Sequence, residues 1–142
     1  MAAQMLYQQD LGGASVEEIL RDFRPSEYGD GEGEEAAPEI QREAFLYAER
    51  LLRGSIEHRA EIDALIASQA ENWRLERMPA VDRNILRLAV YELLHEADVP
   101  HLVVLDEAIE LAKKFGSEQS GAFINGLLDG LIRSHPLPGK MT

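Results

Sequence analysis

The stretch Pro79-Ala80-Val81-Asp82-Arg83-Asn84-Ile85-Leu86-Arg87-Leu88-Ala89-Val90-Tyr91-Glu92-Leu93-Leu94-His95 decides the fold. Turned at about 100° per residue, it puts Val81, Ile85, Leu86, Ala89 and Leu93 on one side. Arg83, Asn84, Arg87, Glu92 and His95 gather on the other. So wide an apolar face marks the central helix of a bundle. Pro79 opens it, and Pro100 marks the next break. Asp82 is the exception, because it falls on the apolar side, between Ala89 and Leu93 in angle, within the first helical turns.

Helices are predicted outward in both directions. Val103–Phe115 carries Val104, Ala108, Ile109, Leu111, Ala112 and Phe115 as its apolar set, and Glu110 and Lys114 form an i,i+4 pair. Gly116 is expected to end it as a C′ glycine, and Ser117 to cap a last helix with Phe123, Ile124, Leu127, Leu128, Leu131 and Ile132 inward. Gly126 is expected to permit close helix packing, and the tail 136–142 to fray. Upstream, Trp73–Met78 is a connector after a helix holding Ile56, Ile62, Leu65, Ile66 and Ala70. Before that, Pro38 opens a helix with Ile40, Phe45, Leu46, Ala48, Leu51 and Leu52, which Gly54 is expected to end. Ser15 and Glu18 form a capping box for a short helix, and Gly12-Gly13 stop an opening helix over Met1–Gln9. No segment alternates with period two. The reading is an all-α single domain over residues 1–135, with about seven helices.

Arg24 to Glu39 is of another kind. Its prolines, glycines and acids predict a flexible acidic loop, centred on 27–39. Asp30-x-Glu32-x-Glu34 faintly resembles a calcium loop, but the glycine and closing glutamate miss the required spacing, so a solvated loop is the expectation.

Composition narrows the function. The chain has 142 residues, enough for one core, and no cysteine, which excludes disulfides, thiolate metal sites and a cysteine nucleophile. No apolar run approaches the roughly 20 residues that span a bilayer. The first residues carry no basic region or cleavage site, so a soluble cytoplasmic protein without membrane contact is expected. There is no glycine-rich phosphate loop, no His-x-x-x-His pair and no Gly-x-Ser-x-Gly elbow. His58, His95, His101 and His135 are scattered and read as surface or capping histidines rather than metal ligands. The expectation is no catalytic residue, no metal and no cofactor. A net charge of −12 gives no general attraction to phosphate, so composition alone argues against nucleic acid.

Four segments, in order, nonetheless resemble the NusB family. They are Gln4-Met5-Leu6-Tyr7-Gln8; the Trp73 to Leu93 run with Asp82-Arg83-Asn84-Ile85-Leu86-Arg87-Leu88-Ala89; Asp106-Glu107-Ala108-Ile109-Glu110-Leu111-Ala112-Lys113-Lys114-Phe115-Gly116; and Phe123-Ile124-Asn125-Gly126-Leu127-Leu128-Asp129. The resemblance runs from residue 2 to about 132, with the acidic loop as a variable insert. It implies two small packed helical bundles and a non-enzymatic transcription antitermination factor. The factor would bind boxA-type single-stranded RNA together with NusE, a small-subunit ribosomal protein. With other Nus factors and RNA polymerase it would support processive transcription of rRNA operons.

Carried over by position, the RNA face would use Gln4, Tyr7, Gln119, Ser120 and Phe123, and the NusE face Asp82 with its neighbour Arg83. Aromatic stacking and amide hydrogen bonds suit single-stranded RNA. Plainer roles stand beside these. Tyr7 and Phe123 also fit as core aromatics, Asp82 as a charge favouring the positive end of its helix, and Lys113 and Lys114 as a solvated face. The family's arginine-rich segment before the first helix, and a basic residue where Gly121 and Ala122 stand, are missing from this pattern. Two expectations follow: a native protein longer at its N-terminus, or a homodimeric or NusE-only interaction module with weak or no RNA binding.

Overall fold

The computed structural model describes residues 1–24, 38–70 and 74–138. The acidic loop with its calcium-like triplet, Trp73 and the last four residues lie outside these. Among the described residues there are seven α-helices: α1 (Ala2–Gly12), α2 (Val16–Phe23), α3 (Pro38–Glu57), α4 (Arg59–Gln69), α5 (Ala80–His95), α6 (His101–Phe115) and α7 (Ser120–Ser134). A 3₁₀ turn, Leu75–Arg77, leads into α5, and no strand occurs among the described residues. The all-α expectation holds.

α5 is the axis of the molecule. It packs against α1, α3, α4, α6 and α7. Leu86, Val90 and Leu93 are buried in one continuous core with Met5 and Leu6 of α1, Leu52 of α3, Ile62 and Ile66 of α4, Ala112 of α6 and Leu128 of α7. The two bundles therefore share α5. Its polar side is not a solvent face, because Asn84, Arg87 and Glu92 are all buried there. The helices packed around α5 take these three groups out of water, so they are satisfied from neighbouring elements. Arg87 clamps Asp63 of α4 through Nε (2.9 Å) and Nη2 (3.0 Å). Arg83 donates from Nη2 (2.6 Å) and Nε (3.0 Å) to Asp10 of α1, and Asn84 Nδ2 reaches the same carboxylate at 3.1 Å.

Two helix ends follow the local chemistry read from sequence, and several of the glycines do not. Ser15 and Glu18 form both bonds of the capping box of α2. Gly13, at φ 64°, stops α1 in the left-handed region that favours glycine. Gly54, expected to end α3, lies inside it, and the break comes at His58. Glycine is needed there for space, because a Cβ would run into the ring of Tyr91 on α5. Gly116 is extended (φ −95°, ψ −169°) rather than left-handed. A Cβ there would stand 2.5 Å from Ser120 Oγ and 2.8 Å from the Ala112 carbonyl. Gly126 faces open space, whereas a Cβ on Gly130 would meet Gln69 of α4 at 2.5 Å. Close approach is thus made at Gly130, one turn beyond the expected position. The tail is also pinned as far as Pro138, whose carbonyl lies 2.7 Å from Nε2 of the buried His101.

Candidate nucleic-acid interface

A groove of about 400 Å³ opens where the N-terminal half of α5 meets α1, α2 and the end of α6. Its lining includes Gln4, Tyr7, Phe23, Val81, Ile85 and Phe115. α1 places Gln4 and Tyr7 here because they are one turn apart, while Met5 and Leu6 are fully buried beneath them. Tyr7 and Phe115 are each 39% exposed, so two aromatic rings border one apolar trough beside an amide side chain. Such a surface can stack bases and hydrogen-bond their edges. Phe115 was read from sequence only as an apolar position of α6. Its place at the last turn, next to the extended Gly116, is the signal that could have moved it to the surface.

The cations nearby are few. Lys114 lies over the Phe115 ring at 5.3 Å, and Lys113 is exposed beside it. Arg83 does not add to them, because its guanidinium is spent on Asp10. Burial alone would push the Asp10 carboxyl up. Hydrogen bonds from Arg83 and Asn84, with the charges of Arg83 and Arg87, outweigh it and hold the group below the usual range.

Asp82 and Ser120 meet each other. Ser120 Oγ donates to Asp82 Oδ1 at 2.7 Å and accepts from the Ser117 N–H at 2.9 Å. Asp82 is 5% exposed and Ser120 is 1% exposed. The helix start is therefore built differently from the sequence expectation. α7 begins at Ser120, and it is Ser120 rather than Ser117 whose hydroxyl fixes the α6–α7 turn. This pair explains the carboxylate on the apolar side of α5: it ties the N-terminal end of α5 to the start of α7. Gln119 is exposed and accepts from Ser117 Oγ at 3.3 Å, and Phe123 is half-buried against the core. Of the five residues assigned to RNA, Gln4 and Tyr7 share the groove. Gln119, Ser120 and Phe123 lie on α7 and its cap, outside the groove lining.

A larger cavity, about 810 Å³, lies between the start of α1, α3, α5 and α6. Its lining is mostly apolar, with the carboxylates of Glu92, Asp106, Glu107 and Glu110 set against Lys113 and Lys114. Tyr47 Oη donates to Glu92 Oε2 at 3.1 Å. Burial pushes the Glu92 carboxyl up to about 7, with Glu107 and Glu96 adding to the shift and the Tyr47 hydroxyl opposing it. Four carboxylates against two lysines leave this cavity net acidic, whereas the smaller groove has no charged side chain in its lining and offers two exposed aromatic rings for stacking.

Comparison with known proteins gives the same direction. Residues 1–133 match the NusB family. The chain is 44% identical over 133 residues to the transcription antitermination protein NusB of Sorangium cellulosum, covering 94% of this chain and 87% of that protein. It is 47% identical over 131 residues to the NusB of Trichlorobacter lovleyi, covering 92% and 84%. Among solved structures, T. maritima NusB superposes with a TM-score of 0.78 at 39% identity, covering 94% of this chain and 87% of that one. A NusB chain crystallised with NusE and double-stranded RNA superposes at 0.74 with 26% identity, covering 94% and 92%. No described helix is long and apolar enough to cross a membrane. With fold and sequence agreeing over nearly the whole length, this chain belongs to the NusB family of transcription antitermination proteins.

Proposed function

We infer that this protein binds boxA-type single-stranded RNA together with NusE. With other Nus factors and RNA polymerase, it would support processive transcription of rRNA operons in the cytoplasm and catalyse no reaction. The observation that carries the reading is the trough holding Gln4, Tyr7 and Phe115. It offers stacking surfaces and an amide in a chain whose family includes a NusB–NusE–RNA complex. In this reading Gln4, Tyr7 and Phe115 contact bases, and Gln119 and Phe123 extend the surface along the start of α7. Ser120 and Asp82 act by fixing that helix start, and the Asp82–Arg83 end of α5 is the NusE side.

A second reading has its own support. The guanidinium groups of Arg83 and Arg87 are committed to Asp10 and Asp63. Lys114 lies over the Phe115 ring at 5.3 Å, and Lys113 is paired with Glu110 Oε1 at 3.7 Å. A protein of net charge −12, with these arginines of α5 held in ion pairs, would act as a homodimeric or NusE-only interaction module.

Anisotropy titration of labelled boxA RNA, with and without NusE, separates the two. The first reading expects saturable binding that NusE strengthens, preference over scrambled RNA, and at least tenfold weakening by Tyr7→Ala. No preference even with NusE present sinks it. A NusE complex in light scattering without RNA uptake would establish the second.

A further inference from the structure

The far end of α5 carries a different arrangement. His58 caps α4 at its break from α3, Glu61 lies in the first turn of α4, and His95 is the last residue of α5. His58 and Glu61 are one turn apart, but His95 lies 37 positions after His58, which is why the histidines read as scattered. In the fold their ligand atoms converge: His58 Nδ1 lies 3.6 Å and His95 Nε2 3.8 Å from Glu61 Oε2, and all three lie within 4.8 Å of one another.

We propose that His58, Glu61 and His95 form a binding site for a divalent first-row transition ion of the zinc class. Neither imidazole–carboxylate separation is short enough for a hydrogen bond, so the three atoms converge without satisfying one another. Two imidazole nitrogens and one carboxylate oxygen suit zinc, cobalt or nickel, not calcium or magnesium, which take oxygen ligands. Ligands at about 2.0–2.1 Å from a tetrahedral centre stand roughly 3.3 Å apart, so the three atoms must draw together by about an ångström or less on average. The side chains are partly exposed, at 34%, 54% and 30%, and free to make that move. Water completes the coordination.

The two imidazoles are stacked, with centroids 4.1 Å apart and planes at 26°. Tyr91 flanks them, 5.2 Å from His95, so the rings are already confined to one side of the site. Metal binding splays the stacked rings about the ion. The ion then fastens the α3–α4 break to the end of α5. Val81, in the groove, is 14 residues away on the same helix, about 21 Å at 1.5 Å per residue, so the ion touches none of the RNA-facing side chains.

Untagged, metal-free full chain is titrated with Co²⁺, followed by visible absorption, and with Zn²⁺ by calorimetry. One ion per chain and a raised Tm at saturating Zn²⁺ are expected. His95→Ala and Glu61→Gln should each weaken Zn²⁺ at least tenfold while keeping native helical circular dichroism, and His135→Ala should leave affinity unchanged. Absence of one-to-one binding by the unmodified chain overturns the proposal. So does binding that survives both His95→Ala and Glu61→Gln, or that is lost equally in His135→Ala.

Discussion

Glu92 is a residue whose ionisation burial opposes. It is 7% exposed, and its carboxyl is raised from 4.5 to about 7. Between those two values the folded state holds a proton that the unfolded chain has released. Stability is therefore greatest below about 4.5, falls as pH rises through 7, and levels off above it. Glu92→Gln keeps the contact with Tyr47 and removes the charge. It should raise stability at pH 8 by about 2 kcal/mol and have little effect at pH 4.5. Urea unfolding at the two pH values measures this, and an equal effect at both would refute the buried-charge account. Asp82 is also buried, and its side chain accepts a hydrogen bond from the Ser120 hydroxyl. Asp82→Ala leaves the Ser120 hydroxyl without its acceptor and should cost about 2 kcal/mol, and Ser120→Ala should cost at least as much because it leaves both the buried Asp82 carboxyl and the Ser117 N–H without a partner. A double-mutant cycle by urea unfolding gives the coupling between them.

At the level of the element, the sequence rules for helix starts held where the partners are local. Ser15 and Glu18 are three residues apart and needed nothing from the rest of the chain. Ser15→Ala should lower stability by about 1 kcal/mol, seen as a lower urea midpoint with an unchanged slope. The glycine readings failed where the reason for glycine is non-local. Gly54 sits mid-helix because Tyr91, 37 positions later, lies against it. Gly54→Ala improves helix propensity by nearly 1 kcal/mol, yet it should destabilise by about 1–3 kcal/mol because the ring has to move. A stabilised variant would show that the ring yields freely. At Gly116 the cause is nearby but is still not a left-handed turn: the Ser120 hydroxyl, four residues on, and the Ala112 carbonyl, four residues back, leave no room for a Cβ.

For the whole molecule, charge sets the terms of RNA binding. The chain is at −12, and the arginines of α5 are used to tie α1 and α4 to the axis. With Lys113 and Lys114 as the principal phosphate contacts, the plot of log affinity against log salt for single-stranded RNA should have a slope of about −1 to −2. The double variant Lys113→Ala, Lys114→Ala should flatten it towards zero while Tyr7→Ala leaves the slope in place. A slope steeper than about −4 would mean that other cations carry the contact.

The helix content, the central place of α5, the Ser15 cap and the Gly12-Gly13 stop are set by residues close together in sequence. Periodicity and capping are properties of a few neighbouring positions, and they could be read without a fold. So could the likeness to the NusB family, carried by four short ordered segments. What the chain does with its polar groups could not. Asn84, Arg87 and Glu92 read as an ordinary polar side of a helix. Only the packing of α1, α3 and α4 around α5 made that side an interior one, where each group needs a partner. Asp82 met Ser120 across 38 positions, and His58 met His95 across 37. Phe115 joined Tyr7 in one groove from the other end of the chain. Such meetings depend on how helices cross, and crossings are decided by side-chain packing over the whole core rather than by any local pattern.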